Sequence, residues 1–169
     1  EGECDYPSPQ WMSYTGMPAA GQLGHGWTRQ VHSEDRQMAI EQWQEALARA
    51  QPFDSEFRLR RADGTYRWFH AHASPLRDNA GRLLRWLGTF TEIHDRKQAE
   101  SMQARLAAIV ESSSDAVISK SLDGRILTWN KSAELMFGYS GEEIIGQSIF
   151  LLIPSDRQLE ETTLIELIK

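Results

Sequence analysis

Cysteine is almost missing from this chain: Cys4 is the only one in 169 residues. A single thiol excludes an intrachain disulfide and any multi-cysteine metal knot, which fits a reducing compartment. Long apolar runs are missing too. No unbroken run exceeds five residues, the length of 149–153, whereas a bilayer-spanning helix needs about 20. The opening Glu1-Gly2-Glu3-Cys4-Asp5 has neither the basic nor the apolar region of a signal peptide. Basic charge is in deficit, with 18 Lys and Arg against 24 Asp and Glu, a net charge of −6 and a pI near 5.4. Nucleic acid demands a basic face to meet phosphate, so it is not an expected partner. These deficits leave a soluble protein expected in the cytoplasm, without a membrane span. What is present suits a fold: 40% apolar and 25% charged residues can build a core and a surface. The length allows one domain, or one and a half small ones.

The chain repeats itself. Ser8-x-x-Trp11-x-x-x-Thr15-Gly16 aligns with Asn130-x-x-Ala133-x-x-x-Phe137-Gly138 at an offset of 122, and Gly24 with Gly146 at the same offset. Asp35-Arg36 then meets Asp156-Arg157 at an offset of 121. Such a period is far too long for a solenoid and suits a small domain occurring twice. Both copies are expected to be partial within these residues: 115–125 has no counterpart before Cys4, and the residues after Ala50 have none in the second copy up to Lys169.

Period and punctuation give the elements. Ser33 is a plausible N-cap, with Glu34 and Asp35 in the first turn, where the helix dipole favours acids. Ile40, Trp43, Leu47 and Ala50 continue an amphipathic helix that ends at Gln51-Pro52. Three extended runs follow, 56–62, 65–74 and 82–93, joined by Asp63-Gly64 and Asp78-Asn79-Ala80-Gly81. Connections this short predict an antiparallel meander. Trp68 and Phe69 must face opposite sides, so cover is expected on both faces, at least in part. From Asp95 the pattern turns helical, with Ala99, Met102, Leu106 and Ile109 spaced by 3, 4 and 3, until Ser112-Ser113-Ser114-Asp115. A second hairpin, 116–120 with 125–129, is expected around Leu122-Asp123-Gly124, then short helices with capping-box spacing at Ser140-x-x-Glu143 and Ser155-x-x-Gln158.

These residues resemble a known family. Phe53-x-x-Glu56-Phe57-Arg58-Leu59-Arg60-Arg61-x-Asp63-Gly64-x-Tyr66-Arg67-Trp68-Phe69, with Pro75-Leu76-Arg77-Asp78 and Gly88-Thr89, is similar to the C-terminal half of a PAS/PAC sensory domain. His32-Ser33-Glu34-Asp35-Arg36 resembles the His-Pro-Asp-Asp signature of one subfamily. Ser114-Asp115-Ala116-Val117-Ile118, Asp123-Gly124-x-Ile126-x-x-Trp129-Asn130 and Phe137-Gly138-Tyr139 resemble the N-terminal half of a second. The resemblance implies an α+β fold, a five-stranded antiparallel sheet with short helices on one face, plus a connecting signalling helix. It divides the chain into a first PAS/PAC domain at 1–94 lacking its first strand, a connecting helix at 95–113, and the truncated start of a second PAS domain at 114–169. It also implies a sensory and regulatory role in a multidomain bacterial protein. The effector is expected to be a histidine kinase of a two-component system, or else a diguanylate cyclase or phosphodiesterase. A ligand-free dimerisation scaffold is the alternative from another class. No effector motif and no nucleophile–base pair stands in these residues, so the chain itself is not expected to be an enzyme.

His70 and His72 share a strand face and could ligate a metal with a third group such as His94, but a zinc site normally shows three or four evident ligands. No metal is expected, and the two are read as polar positions on the sheet. Cys4 lies between Glu3 and Asp5, which gives its thiol no cation to activate it. Trp43, Trp68 and Trp86 read as core aromatics. Arg58 and Arg60 alternate with Phe57 and Leu59 and are expected on a solvated face with Glu56 and Asp63. The family's flavin-binding cysteine motif is absent, and no His lies between Asp95 and Lys169 to ligate haem in the second copy. Covalent flavin and haem are therefore not expected; any cofactor is unknown, and a small-molecule ligand remains open. The family's Asp-Ile-Thr stands here as Glu92-Ile93-His94, which puts its usual salt bridge in doubt.

Two expectations concern assembly. Ala99, Met102, Leu106 and Ile109 form a seam barely two heptads long, too short to hold alone, so a homodimer across this helix is expected. The resemblance also leaves 82–93 without its central neighbour, an edge that 116–120 from the same or a neighbouring chain could fill.

Overall fold

The computed structural model describes residues 4–160 and 163. In chain order the elements are α1 (Pro9–Thr15), α2 (Ala19–Gln22), a 3-10 turn (Gly26–Gln30), α3 (Ser33–Arg49), β1 (Phe53–Arg60), β2 (Tyr66–Arg77) and β3 (Leu83–Glu92). Then come α4 (His94–Ser112), β4 (Ile118–Lys120), β5 (Ile126–Trp129), α5 (Lys131–Phe137), α6 (Gly141–Ile144) and two 3-10 turns, Ile149–Leu152 and Ser155–Arg157. The residues form two compact units whose boundary falls inside α4, between Ala99 and Glu100.

The first unit is a meander, β1-β2-β3, with antiparallel pairing that sets Phe57 opposite Phe69 and Ala71 opposite Phe90. Strict alternation buries Phe53, Ser55, Phe57 and Leu59 on one face of β1 and leaves Asp54, Glu56, Arg58 and Arg60 on the other. Trp27, Val31, Ala39, Trp43 and Ala46 from the helical segments close over the buried face. Each fully buried Phe, Leu or Val there contributes roughly 1.5–3 kcal/mol. Asp78 makes the second turn, its Oδ1 accepting the N–H groups of Ala80 and Arg82, both at 2.9 Å.

In the second unit β4 and β5 form a hairpin, and Ile126, Trp129, Ala133 and Ile144 make the core. The internal repeat holds in three dimensions. Ser8 and Asn130 each cap a seven-residue helix, accepting from Trp11 and Ala133, and Gly16 and Gly138 end those helices at φ 68° and 79°. Gly24 and Gly146 share positive φ as well, at 64° and 85°. The left-handed region is nearly free for glycine alone, which explains why these residue types recur at one spacing.

Several expectations are corrected. The cap of α3 is His32, whose Nδ1 accepts the Glu34 N–H at 3.3 Å, rather than Ser33, which begins the helix. Ser140 and Glu143 form their capping box, but Ser155 makes no cap and lies within a 3-10 turn after Pro154. Arg58 pairs not with Glu56 but with Glu34 and Asp35 from α3. The described strands stand as a sheet of three and a sheet of two, and the class is α+β as expected. Within the chain, 116–120 does not join β3: β4 pairs with β5 across a five-residue turn, because so short a loop closes at little entropic cost.

Candidate functional site

The face of the sheet opposite the aromatic core carries a ladder of charge that receives the first turn of α4. The Ile93 N–H donates to the Trp68 carbonyl at 2.9 Å, and the Trp68 N–H donates to His94 Nδ1 at 3.4 Å. One turn on, Arg96 Nη2 and Lys97 Nζ each lie 2.6 Å from a different oxygen of Glu56. Their hydrogen bonds, Lys97 foremost, hold the Glu56 carboxyl below the ordinary glutamate range. Lys97 Nζ and the Arg58 guanidinium carbon stand 5.5 and 5.4 Å from the centroid of the Trp68 ring, within cation–π reach. Arg67 pairs with Glu92 at 3.3 Å and with Asp95 at 3.6 Å, so the acid of Glu92-Ile93-His94 keeps an ion pair. A cleft of about 310 Å³ is lined by Glu92, Ile93, His94, Asp95 and Arg96.

Beside this joint lies a second cluster. Asp54 receives His70 Nε2 at 2.9 Å and His72 Nδ1 at 3.2 Å, and His72 Nε2 stands 3.0 Å from Ser74 Oγ. The two imidazoles, His70 first, hold the Asp54 carboxyl below its usual range. His94 is bound to Trp68 instead. Among the described residues no three His, Cys, Asp or Glu side chains are disposed to hold a metal ion. Burial pushes the Cys4 thiol up, which keeps it protonated and unreactive near neutrality.

Aromatic rings fill the space between the helices and the sheet. Trp11 stacks on Phe90 at 4.5 Å, Tyr14 meets Phe69 edge-on at 5.0 Å, and Trp43 meets Phe53 and Trp86 at 5.3 and 5.1 Å. Trp43 and Trp86 are thus core, as expected, whereas Trp68 is half-buried on the opposite face. Gln22 donates to Thr15 Oγ1 at 2.9 Å and to the Met17 carbonyl at 2.8 Å, while its own Oε1 is buried without a partner.

The helix leaving the joint has no buried residue. Ala99 is exposed, and Met102, Leu106 and Ile109 are 57, 55 and 56% exposed. At its far end Asn130 is buried, with Nδ2 donating to the Val110 carbonyl at 2.8 Å and to the Asp115 carbonyl at 3.0 Å. Its Oδ1 accepts the N–H groups of Val117 and Ala133 at 2.9 and 3.0 Å. Sequence reasoning missed Glu56 as an anchor and Asn130 as a tie. Nothing in the spacing joins Glu56 to Arg96, but an Asn placed just before a helix, where the repeat has Ser8, could have marked the cap.

Comparison with known proteins decides the family. A model of the PAS fold matches residues 5–90, and a second matches 104–168. The chain belongs to the PAS family. Its PAS segments are 30% identical over 128 residues to the sensor protein FixL of Bradyrhizobium diazoefficiens, covering 73% of this chain and 25% of that one. They are 32% identical over 108 residues to the peroxide stress-activated histidine kinase mak1 of Schizosaccharomyces pombe, covering 64% and 6%. The probable diguanylate cyclase DgcE of Escherichia coli is 29% identical over 131 residues, covering 75% and 12%. The chain therefore spans a quarter or less of the length of these relatives. Among solved structures, an RNA-binding light-oxygen-voltage receptor superposes with a TM-score of 0.53 at 25% identity, over 62% of this PAS chain and 30% of that one. The matches make this a PAS sensory segment similar to those of histidine kinases and diguanylate cyclases, α+β in class. No helix among the described residues is long and apolar enough to cross a membrane.

Proposed function

We propose that this PAS segment senses a change in its first unit and relays it through α4 to a C-terminal histidine kinase, working in the cytoplasm as a homodimer. The observation that carries the reading is the joint at the start of α4. Glu56, Trp68 and the ion pair of Arg67 with Asp95 grip the first turn, so a shift of the sheet moves the helix rather than dissipating in a loop. Beyond that turn the apolar stripe Ala99, Met102, Leu106 and Ile109 stands in water. A second α4 in parallel register would bury it as a short coiled-coil seam. The relation to DgcE supports a second effector, a diguanylate cyclase, through the same relay. A small ligand in the first unit is part of the proposal; its chemistry is open.

The test is the solution mass. The wild-type chain is expected as a dimer by sedimentation equilibrium, and Leu106→Glu, which puts a charge on the seam, is expected as a monomer with an unchanged circular dichroism spectrum. A Leu106→Glu dimer of unaltered mass sinks the α4 interface.

A further inference from the structure

We infer that Asn130 is the latch through which α4 acts on the second unit, an inference that rests on the relay proposed above. An asparagine side chain offers two N–H donors and an oxygen with two lone pairs. Here all four are used, and the two ends of the amide serve different parts of the fold. The Nδ2 end holds the carbonyl of Val110, in the last turn of α4, and that of Asp115 in the segment after it. The Oδ1 end holds the N–H of Val117, one residue before β4, and that of Ala133 in the first turn of α5. Asn130 itself follows directly on β5. One planar group thus ties the end of the helix to both strands and to α5.

Burial gives the tie its force. Asn130 is 2% exposed, so no water competes for its bonds, and hydrogen bonds in such a setting are stronger than in solvent. The last carbonyls of a helix lack their regular intrahelical partners, and the Val110 carbonyl accepts both the Ser113 N–H at 3.3 Å and the shorter Asn130 bond at 2.8 Å. Ser132 adds a parallel link, its hydroxyl donating to the Ser113 carbonyl. A turn or slide of α4 must therefore carry the amide of Asn130 with it or break these buried bonds.

Asn130→Asp cuts one side of this latch. The carboxylate still accepts from Val117 and Ala133 and still caps α5, since aspartate caps as well as asparagine. It presents lone pairs, not donors, to Val110 and Asp115. Hydrogen–deuterium exchange on the full chain reads the consequence in four proteins: wild type, Glu56→Gln, Asn130→Asp and the double variant. Glu56→Gln loosens the first turn of α4. In the wild-type background it is expected to speed exchange at Val117 and Ala133 by about fivefold or more, the low end of coupling between linked sites. In the Asn130→Asp background that response is expected to vanish, a non-additivity that a merely structural role for Asn130 does not produce. A response that persists undiminished with Asp at 130 overturns the latch and leaves the relay standing. No response to Glu56→Gln in the wild-type background overturns the relay and the latch together. If Asn130→Asp does not fold, judged by Trp129 emission, Ser132→Ala replaces it in the same cycle, with partial loss of the response expected and full persistence counting against the latch.

Discussion

Asp35→Ala tests the tie between α3 and β1. Asp35 Oδ2 accepts the Arg58 Nε–H at 2.8 Å and the Arg58 backbone N–H at 2.9 Å, while Oδ1 accepts from Nη2 at 2.7 Å. The carboxylate is only 13% exposed and the guanidinium 26%. A bidentate, half-buried pair of this kind is worth about 1–2 kcal/mol, more than a surface pair. The stranded backbone N–H of Arg58 adds about 1 kcal/mol, and loss of an acid from the first turn of α3 a few tenths more. Glu34 keeps its own contact with Arg58 at 2.8 Å and recovers part of the loss. The sum is a destabilisation of about 2–3 kcal/mol, which for a unit of this size lowers Tm by roughly 8–24 °C. Hydrogen bonds from Arg58 hold the Asp35 carboxyl below the ordinary aspartate range. Its contribution is therefore complete above the unfolded value, near pH 4, and fades as pH falls through the lower folded value. Urea unfolding followed by circular dichroism at pH 7 and again near pH 3 measures the difference between wild type and variant. A difference below about 0.5 kcal/mol at pH 7, the scale of an exposed pair, refutes the reasoning. So does a difference of equal size at both pH values.

Two further substitutions probe the two units separately. At Gly26 an added Cβ would lie 2.2 Å from the Gly21 carbonyl oxygen, a backbone atom that cannot swing aside. Gly26→Ala is expected to cost about 1–3 kcal/mol or more by overpacking, seen as a lower thermal midpoint, and an unchanged midpoint means the two backbones are not so close. Ile126 is fully buried in the second unit, so Ile126→Ala is expected to cost about 2–5 kcal/mol there. Amide exchange should rise in β4, β5 and α5 while β1 and β2 keep their protection; protection lost equally in both sheets counts against two separate cores.

Local signals carried most of the fold. Ser8, Gly16 and Gly24 could be matched to Asn130, Gly138 and Gly146 because capping and positive φ admit few residue types, so backbone geometry is written directly into identity. The meander was legible for the same reason, through Asp63-Gly64 and the Asp78 turn. Failures came where a partner lies far along the chain. Arg58 had Glu56 as its plausible local acid and instead took Glu34 and Asp35, because α3 packs at the edge of β1. Glu56 was thereby left for Arg96 and Lys97, 40 and 41 residues on, a pairing that no period reveals. His32 displaced Ser33 as cap because an imidazole nitrogen can accept as well as a hydroxyl, though caps are seldom sought at histidine.

The two cations beside Trp68 have an optical consequence. Indole emission shifts with the field of nearby charge, and here the nearby charges belong to Arg58 on the sheet and Lys97 on the helix. If the first turn of α4 lifts from the sheet, Lys97 leaves the ring and Arg58 stays, so the field changes by one charge at a distance of a few ångströms. Subtracting the spectrum of a Trp68→Phe variant isolates this chromophore from the other five tryptophans. The protein thus carries its own dye, reporting in real time whether the helix is seated.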